Sequence, residues 1–405
     1  MGSIPIQHKL FSKDYIFLLS CVFFAAITHS LFISLFPIYI LELGGNHALT
    51  GAMITGQVIA GTITRLVCGP LQDRFGRRKL LIAGAFLFAL NIFAFVFTVS
   101  LPVIFFFRVL TGVSQGIYFG AAGTIVADIT PSDRLVDGIG FFSVMGPLAA
   151  SFSPAIGLYL FQHYSSAVMF SFASASALVA ALFPLLIAKK YGEAVHLHHE
   201  EKQPKVKLAL SSFLEFSILP PALVSFFILF ANSSVTNFLA ACGVERGLGS
   251  IGIFFTCNST TMIIVRLLAG RVTRKTGEIT MIWAGCVLLT ASSLLIAFAH
   301  STGPIIAAGI LTGAGMGIVT PILNSLVFKF AEPRRKGVAN SNYLLANDMG
   351  MGLGASFWGT TSQYSGYTVT YALSAVCVIT SGFIHRFFLS PRIKLPVNHY
   401  PSSMH

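Results

Sequence analysis

Three ionisable side chains stand deep inside apolar runs. Asp348 lies well into the run 338–362 and is the only acid so far from an end. Arg108 follows Phe105-Phe106-Phe107, and His29 sits between Thr28 and Ser30 in a run otherwise rich in Phe, Leu and Ile. A charged side chain in hydrocarbon costs at least about 2.5 kcal/mol, so such a group faces a bundle interior or a water-filled path. There a carboxyl is a candidate proton carrier, an imidazole a candidate relay and a guanidinium a candidate partner for an anion. Each has a plainer alternative: an acid permanently paired with an Arg, or a His satisfied inside its bundle. Two more guanidiniums, Arg65 and Arg266, lie nearer the ends of their runs, where a long side chain can reach the aqueous edge. Their expected role is structural or in an inner gate.

The elements that must hold these residues are membrane helices. Only 10% of the 405 residues are charged, against 55% hydrophobic and 38 Phe; a water-soluble domain carries about 25% charged residues. A helix needs about 20 apolar residues to cross a bilayer. Twelve such runs are legible: 15–41, 50–71, 80–100, 103–129, 138–162, 166–188, 218–241, 249–270, 279–299, 304–330, 338–362 and 367–389. The first run is too long for a signal-peptide core and no small-residue cleavage site follows it, so it is read as a retained span. The distribution of the 26 Lys and Arg sets the orientation. With the N-terminus in the cytoplasm, only Arg246 falls outside, Arg65, Arg108 and Arg266 fall within spans, and all the rest lie inside. Both termini are therefore expected in the cytoplasm. The net charge of +12 is spread over short gaps between apolar runs, which excludes a nucleic-acid-binding face.

The chain also repeats itself. Arg65-Leu-Val-Cys-Gly69-Pro-Leu-Gln-Asp73-Arg74-Phe-Gly76 returns 201 residues later as Arg266-Leu-Leu-Ala-Gly270-Arg-Val-Thr-Arg274-Lys-Thr-Gly277, with the acid at 73 replaced by Arg274. The same offset pairs Gln57 with Asn258 and aligns Thr111-Gly112 and Gly116 with Thr312-Gly313 and Gly317. Several matches at one offset mean duplication, and an even number of spans per copy makes the copies parallel repeats. The one long polar segment, from Lys189 to about Leu214, separates them. Expected boundaries are 1–188 and 217–390 for two six-helix bundles, 189–216 for a cytoplasmic linker and 391–405 for a cytoplasmic tail.

Two parallel six-helix halves, a cytoplasmic central linker and the polar loop after the second span resemble the major facilitator superfamily. Its signature in that loop, Gly-x-Leu-x-Asp-Arg-x-Gly-Arg-Arg/Lys, is met by Gly69, Leu71, Asp73, Arg74, Gly76, Arg77 and Arg78. The line Arg108 to Gly116 looks like the fourth-helix motif of proton-driven drug exporters. Gly140, Ala149, Ser153-Pro154 and Gly157-Leu158 keep part of the Gly-rich fifth-helix pattern of exporters, with three of its glycines replaced. Asn347-Asp348-Met-Gly350-Met-Gly352 is similar to a line in small efflux permeases, including exporters of metal-chelating molecules.

The resemblance implies an all-α membrane protein of 12 transmembrane helices in two pseudo-symmetric bundles. It implies a secondary active transporter, not an enzyme, in the plasma (inner) membrane. Three buried Arg against one Asp lean toward export of a small anionic or zwitterionic molecule in exchange for protons. Import or facilitated passage of a similar solute is the alternative; a non-transporting sensor is a third reading. Asp73, Arg74, Gly76, Arg77 and Asp128 are expected to form an inner gate. Asp348, Arg108 and His29 are expected to serve proton coupling or substrate. Gln115, Tyr118, Asn232, Asn237 and Asn324 are expected to line the cavity. The expected partners are substrate, protons and the lipid bilayer, with the chain a monomer.

No cofactor is implied and no nucleotide-binding loop is present, so ATP is not the energy source. The six cysteines lack ligand spacing and read as small buried residues. His196, His198 and His199 make a weak metal-binding tract in a linker, which reads as solvated chain; no metal site is expected.

Overall fold

The computed structural model describes residues 10–131, 134–188, 215–248, 251–332 and 335–394; among them there are helices and no strand. In chain order the helices are α1 Lys13–Glu42, α2 His47–Phe75, α3 Arg77–Ala94, α4 Leu101–Ile129, α5 Leu135–Ala150, α6 Ser153–His163, α7 Ser166–Leu186, α8 Leu219–Glu245, α9 Gly252–Thr276, α10 Glu278–Ala297, α11 Thr302–Phe330, α12 Lys336–Ile384 and the short α13 Ser390–Lys394. In lipid every backbone N–H and C=O must find its partner within the chain, which a helix provides. Nine helical segments among the described residues are long and apolar enough to cross a membrane. Outside that set, α2 carries Gln57, Arg65 and many Thr and Gly, and α3 opens on Arg77-Arg78-Lys79. Phe97, Leu267 and Phe387 are exposed while Arg108, Asn237 and Ser233 are buried. This reverses the arrangement of a water-soluble protein and suits a lipid surround.

Two places depart from the expected spans. The run 138–162 is not one helix: α5 ends at Ala150 and α6 begins at Ser153 with Pro154 in its first turn. A proline there removes a helical donor and favours a fresh start. At the other end of the chain α12 continues for 49 residues across Gly366, whose φ of 76° and ψ of 171° break the helix without a loop.

The chain divides into two compact units, one of Met1–Asn46 with Met53–Pro204, the other of His47–Ala52 with Lys205–His405. In the first, α1 packs on α5 and α7, and α3 packs on α4 and α7. Its core includes an aromatic cluster in which Phe95 lies 4.7 Å from Phe32 and 5.7 Å from Phe170 between ring centroids. In the second, α8 packs on α12, α9 on α11, and α10 on α11 and α12. Ile282, Val319, Leu323 and Leu326 lie at the centre of its apolar core.

The duplication read from the sequence reappears as contacts. Hydrophobic burial does not drive helix association in lipid; close packing of small residues does. A Cβ on Gly112 would overlap the carbonyl of Gln57, and a Cβ on Gly313 would overlap the carbonyl of Asn258. Gly76 and Gly277 adopt φ of 89° and 85° at the corresponding corners, α2 to α3 and α9 to α10. Glycine takes that backbone shape without the steric cost a side chain imposes.

Candidate functional site

Arg108 lies on α4 with 1% of its surface exposed. Its guanidinium carbon stands 4.6 Å from the ring centre of Phe32 and 4.1 Å from that of Phe36. These two rings are four residues apart on α1 and so share one face. Nε, Nη1 and Nη2 have no hydrogen-bond partner among the described residues. A desolvated cation over an aromatic face gains about 2 kcal/mol, comparable with the insertion cost of the charge. The rings thus offset the charge and leave the N–H groups unmet. A planar fork of free donors in an aromatic cradle matches the geometry of a carboxylate or phosphate.

On the same face of α4, about 10 Å further along at 1.5 Å per residue, Gln115 joins three helices. Its Nε2 donates to His29 Nδ1 on α1 at 2.8 Å, and its Oε1 accepts from Gln57 Nε2 on α2 at 2.8 Å. His29 also lies edge-on to Phe119, 6.3 Å between ring centroids. The chain of bonds ends at Gln57 Oε1, which is buried without a partner among the described residues. Interhelical hydrogen bonds in membranes contribute about 0.6 kcal/mol on average, so two of them are a weak reason for three polar residues here. Tyr118, three residues on along α4, is fully buried and stacked on Phe88 at 6.2 Å.

In the second unit Asn232 donates to Thr236 Oγ1 on its own helix, 3.1 Å away. Asn237 donates to Ser233 O at 2.9 Å and Ser233 Oγ at 3.0 Å, leaving its Oδ1 without a partner among the described residues. Ser233 in turn donates to Met351 O on α12. Asn347 Oδ1 accepts from Ser225 at 2.7 Å, which ties α8 to α12 next to the half-buried Asp348. Asn324, on α11, is exposed. Arg65 is half-buried on α2; Arg266 is half-buried on α9, with Nη2 3.7 Å from Met262 Sδ.

Of the expected inner-gate residues, Arg77 at the start of α3 forms an ion pair with Asp128 at the end of α4. Arg74 is exposed beside the Phe75 ring. Gly76 forms the corner, and the side chain of Asp73 lies outside the described residues. Arg78, beyond that set, donates to Ile187 O at 2.7 Å and Leu185 O at 2.8 Å.

Two groupings escaped the sequence reading. Gln57 completes the His29–Gln115 chain; its pairing with Asn258 at the repeat offset was the available signal. In the second unit His47 Nε2 lies 2.9 Å from Glu245 Oε1 and 3.2 Å from the Tyr367 hydroxyl, and His47 N donates to Gln363. No local pattern links residues so far apart in the chain. Among the described residues no cluster of His, Cys, Asp or Glu could hold a metal ion. The His196, His198 and His199 tract lies outside them.

The sequence profile of the Major Facilitator Superfamily matches residues 18–355 and also 222–403. An uncharacterised MFS-type transporter of Methanocaldococcus jannaschii is 23% identical over 86% of this chain and 90% of its own length. Multidrug resistance protein 1 of Bacillus subtilis is 26% identical over 90% of this chain and 94% of its own. The staphylopine export protein of Staphylococcus aureus is 21% identical over 90% of this chain and 92% of its own. A crystal structure of the nucleoside transporter NupG superposes with a TM-score of 0.79 over 93% of this chain and all of that one, at 14% identity, a likeness of fold.

Proposed function

The chain belongs to the Major Facilitator Superfamily and is an integral membrane transporter of a small molecule, and on that premise we propose that it exports an anionic or zwitterionic organic solute across the plasma membrane in exchange for protons. The observation that carries this reading is Arg108, a buried guanidinium cradled by two Phe rings with its donors free among the described residues. The solute's carboxylate or phosphate binds the guanidinium fork, and its apolar part lies on the rings.

His29, Gln115 and Gln57 couple proton and solute. With His29 accepting at Nδ1, the chain ends in a free carbonyl oxygen at Gln57. A proton on Nδ1 turns that nitrogen into a donor. The Gln115 amide must then turn over, Gln57 follows, and the chain ends in a free NH2. One proton on α1 thereby changes the hydrogen-bonding character of α2. Asp348 is the second proton carrier.

α5 and α6 make one crossing and the arms of α12 on either side of Gly366 make two, giving twelve crossings with both termini in the cytoplasm. Asp73, Arg74, Gly76, Arg77 and Asp128 then form the inner gate of a monomer that works by alternating access. Import is the second reading, favoured by the partial export pattern between Gly140 and Leu158 and by the interruption after Ala150.

Inverted vesicles with an imposed pH gradient test both readings. A panel of organic anions, metal chelators and dyes is offered to the wild type, Arg108→Gln and Asp348→Asn. Export predicts gradient-driven accumulation of an anionic or zwitterionic member that both variants lose. Accumulation of none of the panel by the wild type, or undiminished accumulation by Arg108→Gln, rejects it.

A further inference from the structure

At the end of the second unit where α9 turns into α10, a cavity of about 630 Å³ opens between α9 and α11. Arg266, Thr273 and Arg274 line one side, Pro321 and Ser325 the other, and Glu278 the rim. Arg266 Nε and Thr273 Oγ1 are buried and have no hydrogen-bond partner among the described residues. Glu278 is the lining acid, and Lys329 engages it at 3.1 Å. The two guanidiniums therefore set the charge of the cavity.

The first unit has a side-chain bridge at the equivalent place. Its residues 201 positions earlier are Arg65, Cys68, Gln72 and Thr124, standing where the second unit has Arg266, Ala269, Thr273 and Ser325. Gln72 is 4% exposed; its Oε1 accepts from Thr124 at 2.6 Å and its Nε2 lies 3.3 Å from Cys68 Sγ. That bridge fastens α2 to α4. In the second copy Thr replaces Gln, Ala replaces Cys and Ser replaces Thr. The shorter side chains leave a space where the first unit has a bridge. Arg274 stands where the first unit has Asp73 and adds a second cation beside that space. A buried donor left unmet is destabilising and is normally satisfied.

We propose that this cavity binds an oxyanion, a phosphate or carboxylate group held by Arg266 and Arg274 with the Thr273 hydroxyl as a further donor. Two guanidiniums and a hydroxyl converging on one space are the donor set that phosphate and carboxylate oxygens accept from. The orientation rule puts this end at the cytoplasmic face, where the group is either the headgroup phosphate of an inner-leaflet lipid or a free anion. The proposal does not depend on the direction of transport or on what Arg108 binds.

The test uses the full-length protein in nanodiscs and reads its Tm. One arm replaces phosphatidylcholine in part by phosphatidylglycerol; the other keeps phosphatidylcholine and adds inorganic phosphate. The wild type is expected to gain Tm in at least one arm: the first identifies a lipid headgroup, the second a free anion. Arg274→Gln should need about tenfold more of the same probe for the same gain. Thr273→Gln should rebuild the bridge to Ser325, raising Tm without probe and abolishing the response. A misfolded variant would instead lose Tm. Absence of a response in both arms of the wild type, or an unchanged response in Arg274→Gln and Thr273→Gln, overturns the proposal.

Discussion

Lys329 Nζ lies 3.1 Å from Glu278 Oε2, and this pair stands 201 residues after Asp128 and Arg77, which pair in the same way with the charges exchanged. The duplicated corner keeps its geometry while its polarity is inverted, as it is at Asp73 and Arg274. A partly exposed pair contributes about 0–1 kcal/mol whichever partner is the cation, so stability does not select the sign.

Exchanging the charges within each pair separates stability from transport. Glu278→Lys with Lys329→Glu should retain the wild-type Tm within a few degrees and retain transport. Arg77→Glu with Asp128→Lys should also retain Tm but lose most transport, because the first-unit loop is the proposed gate. Thermal unfolding and vesicle uptake on the same preparations check this; equal transport loss in the two swaps would remove the gate assignment.

Removing the buried cation should not destabilise the fold. Arg108→Met deletes a charge whose insertion cost is about 2.5 kcal/mol or more and whose aromatic offset is about 2 kcal/mol. The variant's Tm should match or exceed the wild type while transport of the anionic solute falls at least about tenfold. A large fall in Tm would make Arg108 a structural residue.

His29→Gln keeps a hydrogen-bonding side chain and loses the proton site. Its transport should depend less steeply on pH than that of the wild type, with the dependence that remains due to Asp348. Gln115→Leu breaks both bonds of the chain and should cost only about 1 kcal/mol, yet uncouple transport from the gradient. Uptake measured across pH in each variant reads both effects.

Gly112→Ala and Gly313→Ala should behave alike, since each new methyl meets a backbone carbonyl of the neighbouring helix. Overpacking of this kind costs about 1–3 kcal/mol. A small loss at one position and a large one at the other, by thermal unfolding, would contradict the equivalence of the two contacts.

The repeat was legible because duplication leaves identical residue types at one offset, and Gly112 with Gly313 and Gly76 with Gly277 return it as matched contacts and corners. The buried ionisable residues were legible because charge is rare in lipid-facing sequence. Contacts that join distant residues were not: His47 meets Glu245, and Gln57 meets Gln115, with nothing local to announce them. The break after Ala150 was hidden because Pro is common inside membrane spans, and hydropathy does not register a change of helix direction. The cavity beside Thr273 depended on what a short side chain fails to reach, which is a property of three dimensions.

Gly366 interrupts α12 in a single residue, with φ of 76° and open space around a would-be Cβ. Substitution there is strained by backbone shape and not by crowding. The last two arms of the second unit therefore have no connecting loop to lengthen. An epitope or reporter inserted between Ser365 and Tyr367 would have to unwind helix on both sides, and natural length variation should be scarce at this turn for the same reason.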